Sequence, residues 1–143
     1  MFHANPEHTG ETDATLPPLG HVVWSYLNNT FDKPEGGAVV DNGIVYVGLG
    51  RDLTARSVTG GGPVWARQTS GRILSTPALW NGTVFVGSEA SAGRPNMYAF
   101  DAASGALRWQ ANETPADLGG GIHFVHSSPT VANGIVYYGS LTY

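Results

Sequence analysis

Ala38-Val39-Val40-Asp41-Asn42-Gly43-Ile44-Val45-Tyr46-Val47-Gly48 is an apolar run, an Asn-Gly pair, and a second run of β-branched and aromatic residues. Asn-Gly supplies the two positive φ angles of a type I′ turn, so the stretch predicts a tight two-stranded hairpin. It recurs one residue shorter as Ala78-Leu79-Trp80-Asn81-Gly82-Thr83-Val84-Phe85-Val86-Gly87. A third copy is Pro129-Thr130-Val131-Ala132-Asn133-Gly134-Ile135-Val136-Tyr137-Tyr138-Gly139. Between the copies runs a second repeated element, in which Ala99 to Trp109 aligns without gaps onto Ala55 to Trp65. In its later copy Asp101 can accept backbone N–H bonds across a turn and Gly105 can take a left-handed position. The earlier copy has Ser57 in place of the aspartate and Gly60-Gly61-Gly62 near the turn.

Two hairpins per repeat make a four-stranded antiparallel unit. No segment shows a convincing 3.6-residue period, so the chain reads as all-β. Eleven strands are expected, near 22–27, 37–41, 44–49, 53–57, 63–68, 73–80, 83–88, 97–101, 106–111, 124–132 and 135–140. A unit of about 40 residues with four strands and one tryptophan is the mark of a β-propeller blade. Residues 1–21 form a lead-in segment. From 22 to 143 runs a partial propeller: the last strand of one blade around Trp24, full blades at about 37–69 and 72–111, and a half blade at about 122–143. The expected complement is further blades, or self-association that closes the ring.

Composition agrees. Twenty glycines and nine prolines punctuate 143 residues, and only 13% are charged, about half the usual share of roughly 25%. Seven basic against eleven acidic side chains, with Lys33 the only lysine, leave no basic footprint for nucleic acid. No apolar run approaches the roughly 20 residues that span a bilayer, and no basic-then-apolar leader follows Met1. There is no cysteine, which excludes a disulfide framework.

The repeat spacing bears on function. Asn42 to Asn81 is 39 positions and Asn81 to Asn133 is 52. Five of the added residues lie within Glu89 to Asn96, between second and third strands. The other eight lie within Asn112 to His123, between blades. In an up-and-down blade both places open on the same face, and insertions confined to one face of a repeat array mark its binding face. The candidate binding residues there are Glu89, Arg94, Asn96, Asp117, His123 and His126. Arg94 offers five donors suited to a carboxylate or phosphate. A metal is not expected. His123 and His126 are three apart on an extended segment, which sends their rings to opposite faces. Glu89, Glu113 and Asp117 are too dispersed for the six to eight oxygens of a hard cation. Gly119-Gly120-Gly121 and Gly60-Gly61-Gly62 lack the helix that a phosphate loop requires.

The motif A-x-D-x-x-[ST]-G-x-x-x-W, met at Ala99 to Trp109 and followed by Ser127-Ser128-Pro129-Thr130-Val131 and Gly134 to Ser140, resembles the pyrroloquinoline-quinone-like (PQQ-like) propeller repeat. The opening Met1 to Gly10 is similar to the segment preceding the first blade in such proteins. The resemblance implies that Trp65, Trp109 and by position Trp24 pack between blades against the turn of the adjacent unit, a turn built by Asp101 and Gly105. Trp109→Ala is then expected to cost about 3–5 kcal/mol if the ring is buried. It also implies an extracytoplasmic address. Two functions follow from it. One is a non-catalytic scaffold, without cofactor or catalytic residue, that binds a protein or small ligand through the inserted loops, as does the scaffold propeller of the outer-membrane barrel assembly machinery. The alternative is a segment of a quinone-dependent dehydrogenase, with PQQ and calcium held by residues on other blades.

Overall fold

The computed structural model describes residues 22–26, 34–90, 93–112 and 123–142. All three Asn-Gly pairs adopt the expected turn. Asn42, Asn81 and Asn133 have φ of 46°, 46° and 51°, and Gly43, Gly82 and Gly134 have 75°, 67° and 78°. Each turn joins an antiparallel pair: β1 (Val39–Asp41) with β2 (Ile44–Leu49), β5 (Ala78–Trp80) with β6 (Thr83–Gly87), and β11 (Thr130–Ala132) with β12 (Ile135–Tyr137). β3 (Asp52–Ser57) and β4 (Pro63–Gln68) complete the first sheet in the order β1-β2-β3-β4. β8 (Met97–Asp101) and β9 (Leu107–Ala111) complete the second as β5-β6-β8-β9. A bulge falls at Ala55/Arg56 in one sheet and at the aligned Ala99/Phe100 in the other.

The sheets fan out from their first strands: β1 touches β5, and β5 touches β11. This is the radial packing of propeller blades. The middle blade shows why its strands are apolar without alternation. Val84, Val86, Tyr98 and Phe100 pack with Tyr46, Leu53 and Trp65 of the first blade. Phe85, Met97 and Ala99 pack with Val131, Val136 and Tyr138 of the third. Successive side chains of a strand point to opposite faces, so a sheet covered on both sides needs apolar residues in both phases.

Three expectations change. Residues 22–27 were expected as a strand, yet 22–26 carry no strand assignment. A strand exists only through its ladder, and no described strand pairs with this segment. Trp24 anchors it instead, its indole N–H donating to Val58 O at 2.7 Å. The strands expected at 73–80 and 124–132 are shorter, because Pro77 and Pro129 lack the N–H a ladder requires. The residues before each proline staple neighbouring blades. Gly37 N–H donates to Thr76 Oγ1 at 2.7 Å, and Thr76 N–H donates to Ser128 Oγ at 3.1 Å. Ile73 and Val125 lie over Gly48 and Gly87 so closely that a Cβ on either glycine would fall 2.3 or 2.2 Å from them. Finally, three two-residue strands were not expected: β7 (Glu89–Ala90), β10 (His123–Phe124) and β13 (Leu141–Thr142), which form a separate sheet in the order β13-β10-β7.

Candidate functional site

The tryptophans join neighbouring blades on the Asn-Gly side, opposite the insertions. Trp65 is 7% exposed. Its indole N–H donates to Ala102 O at 2.9 Å, and its ring lies beside Tyr46 and Phe100. Tyr46 also donates to Ala102 O, at 3.1 Å, and burial, then Asp41 and Asp101, raise its pKa. Arg67, two residues beyond Trp65, donates from Nε to Gly105 O at 2.8 Å and from Nη2 to Ser104 O at 3.1 Å. Trp24 repeats the contact one blade earlier, since Val58 and Gly61 align with Ala102 and Gly105. Trp109 has the matching ring neighbour, Phe85 at 5.9 Å, but is 41% exposed.

Asp101 holds the turn that receives Trp65. Oδ1 accepts from Ser104 N–H at 2.8 Å and Ser104 Oγ–H at 2.7 Å, and Oδ2 accepts from Arg108 Nη2 at 2.8 Å. The Arg108 and Ser104 hydrogen bonds hold the carboxyl well below the usual carboxylate range. A depressed pKa contributes stability that is present above the unfolded-state value and lost as pH falls toward the folded one. Acid titration of the unfolding midpoint should therefore show the wild type falling below about pH 4 more steeply than Asp101→Asn. Parallel curves would remove this role from Asp101.

The two insertions meet. β10 pairs with β7 in the register His123↔Ala90 and Phe124↔Glu89, and with β13 through His123↔Thr142 and Phe124↔Leu141. Backbone ladders thus bring Glu89–Ala90 and His123–Phe124, at the described ends of the insertions, alongside Leu141–Thr142 of the third blade. Glu89 is half-buried and Arg94 exposed. His126 is exposed, its ring 5.0 Å from that of Phe124. The backbone of His123 lies in β10, and Asp117 is outside the described residues. Asn96 is not available as a surface contact: it is 0% exposed, with neither amide atom hydrogen-bonded. Its backbone N–H donates to Ala111 O and its carbonyl accepts from Ser88 N–H, which draws the side chain inside with the strand.

Other residues that brace this face carried no sequence signal, because each acts through a partner distant in the chain. Arg51 Nη2 donates to Ser70 O at 2.9 Å, Ser70 N–H donates to Tyr98 Oη at 2.9 Å, and Arg72 pairs with Glu35. The opposite, Asn-Gly face holds shallow clefts. One of about 190 Å³ is lined by Asp41, Asn42, Tyr46, Asp101 and Arg108 among others, but Arg108 already satisfies Asp101. Among the described residues no three His, Asp or Glu side chains converge as metal ligands.

Radial four-stranded blades, with Trp65 of the first docked on the Asp101–Gly105 turn of the second, define a propeller segment of the PQQ-like repeat type. The family described as outer membrane protein assembly factor BamB matches residues 9–141, and the chain belongs to it. No curated protein matches it by sequence. Among solved structures, the quinohemoprotein alcohol dehydrogenase ADHIIG from Pseudomonas putida HK5 is similar at 20% identity and TM-score 0.66, over 81% of this chain and 18% of that one. BamB from Moraxella catarrhalis is similar at 16% identity and TM-score 0.42, over 82% of this chain and 46% of that one. The chain thus spans less than half the length of either structure. Among the described residues no helix is long and apolar enough to cross a membrane.

Proposed function

We propose that this chain is a non-catalytic scaffold segment that binds a protein partner through its inserted-loop face, in an extracytoplasmic setting, as part of outer membrane protein assembly. The observation that carries the reading is the β13-β10-β7 sheet. It pairs Glu89–Ala90 with His123–Phe124, at the described ends of the two insertions, while the opposite face keeps two-residue turns. Among the described residues of this face, Arg94 and His126 are exposed and chemically distinctive. The family's description, an outer membrane protein assembly factor, supports this reading of the setting.

Site-specific photocrosslinkers at Arg94 and His126, with Asn42 and Asn133 on the other face as controls, test this in cells that express the full chain. Adducts with envelope proteins are expected from the first pair and not the second. Equal labelling from both faces would refute a one-faced platform. A saturable change of tryptophan fluorescence on adding PQQ with Ca²⁺ would replace the scaffold with the dehydrogenase reading.

A further inference from the structure

The two joints between blades carry different residues at one equivalent position. Asp41 and Trp80 each stand just before an Asn-Gly turn, paired across the ladder with Ile44 and Thr83. Ile44 packs on the core shared with the second blade, so Asp41, on the same face of its sheet, looks toward that blade. Trp80 looks toward the third blade, where its ring lies on the Asn133-Gly134 turn, 3.4 Å from the place of a Cβ on Gly134. The corresponding turn at the first joint is Asn81-Gly82. There Arg108 Nη2, 3.8 Å from the Cβ position of Gly82, stands beside the turn instead of a ring. The space is a cleft of about 190 Å³ between Asp41 on one wall and Gly82, Asp101, Ala102 and Arg108 on the other, lined also by the buried Tyr46. Two carboxylates and one guanidinium meet in it. Arg108 pairs with Asp101 at 2.8 Å. Asp41 is half-buried and accepts from its neighbour Asn42 Nδ2 at 2.9 Å, but has no ion pair among the described residues. Burial first, and then Asp41 and Asp101, raise the Tyr46 pKa, which puts both charges near one hydroxyl.

We infer that this cleft binds a small planar organic cation, an aryl ring carrying an amidinium, guanidinium or ammonium group. The ring takes over Gly82 the place that the Trp80 indole takes over Gly134, so the repeat itself shows the shape that fits. The cationic end pairs with Asp41. A half-buried carboxylate without a counter-ion carries a desolvation cost, which a bound cation relieves, and an amidinium does so through two parallel hydrogen bonds. Arg108, held on Asp101 at the far wall, meets the ring rather than the charge, and a planar guanidinium stacks on aromatic faces. The cleft lies between two four-stranded blades, on the side opposite the insertions, and a ligand here leaves the insertion face open to a protein.

The probe is benzamidine, a planar aryl amidinium, with benzamide as its neutral isostere. Titrated into the full chain and followed by backbone amide resonances, benzamidine should bind with a dissociation constant below about 1 mM, and the largest shifts should fall at Gly82 and Ala102. Replacing it by benzamide, or Asp41 by Asn, should each weaken binding about tenfold or more, a change of about 1.4 kcal/mol. Asp41→Trp, which puts the residue of the second joint into the first, should abolish binding with the fold retained. Added salt should weaken binding to the wild type, because a partly exposed ion pair is screened. A dissociation constant above about 1 mM, equal binding of benzamidine and benzamide, undiminished affinity in Asp41→Asn, or shifts centred away from Gly82 each overturns the inference. If Asp41→Trp does not fold, the benzamide and Asp41→Asn comparisons decide.

Discussion

Trp65→Ala is expected to lower the unfolding free energy by about 3–5 kcal/mol, the range for removing a buried large aromatic side chain. The substitution empties the space between Tyr46, Phe100 and the Gly105 turn. It also withdraws the N–H that, with the Tyr46 hydroxyl, satisfies Ala102 O. Trp109→Ala, expected from sequence to cost as much if its ring were buried, should cost about 2–3 kcal/mol, because burial scales with area removed from water and this ring is 41% exposed. Urea unfolding of both variants measures the difference through the midpoint at constant slope. Equal losses would show that the tryptophan stabilises its own strand rather than the joint between blades.

Gly105→Val should be the other severe change, costing about 2–5 kcal/mol. A left-handed backbone adds about 1–2 kcal/mol for a residue with a Cβ, and forcing atoms into a packed site adds about 1–3 kcal/mol. At Gly105 both apply, since φ is 68° and a Cβ would sit 2.6 Å from the Trp65 ring. Gly43→Ala is the control. Its φ is 75° but nothing lies within 4 Å of the Cβ position, so only the backbone cost of about 1–2 kcal/mol remains. Thermal or urea unfolding distinguishes the two. If Gly105→Val were no worse than Gly43→Ala, the glycine would be serving the turn alone, and the docking contact would lose its claim to a role in stability.

How much of the fold was legible depended on how local its cause was. The Asn-Gly turns were readable because two adjacent residue types suffice to fix a type I′ geometry, and all three have the expected φ signs. The alternation of two hairpins per unit followed, and with it the four-stranded order of both full blades. The segment at 22–26, which carries no strand, is the opposite case. Val22, Val23 and Trp24 have strand composition, but a strand needs a neighbour, and Trp24 is held by one hydrogen bond and a glycine contact instead. The prolines at 77 and 129 were visible, yet extending strands across them overlooked the missing donor. The candidate face was half legible. Spacing placed both insertions on one side, and pairing of Glu89–Ala90 with His123–Phe124 brings them together. Asn96 was misplaced because a loop residue's burial depends on what folds over it.

The sequence by itself determined the all-β class, the blade length, the turn types and the family, since each is written in residues a few positions apart and repeated. Only the tertiary structure decided which tryptophan is buried and which exposed, that the Ser/Thr-Pro segments link blades rather than extend strands, and that Glu89–Ala90 and His123–Phe124 join in a common sheet. Those outcomes rest on contacts between residues 30 to 60 positions apart, such as Trp65 with Ala102 and Thr76 with Ser128. A local pattern states what a residue prefers, whereas its partner, and so its burial and role, is set only when the blades come together.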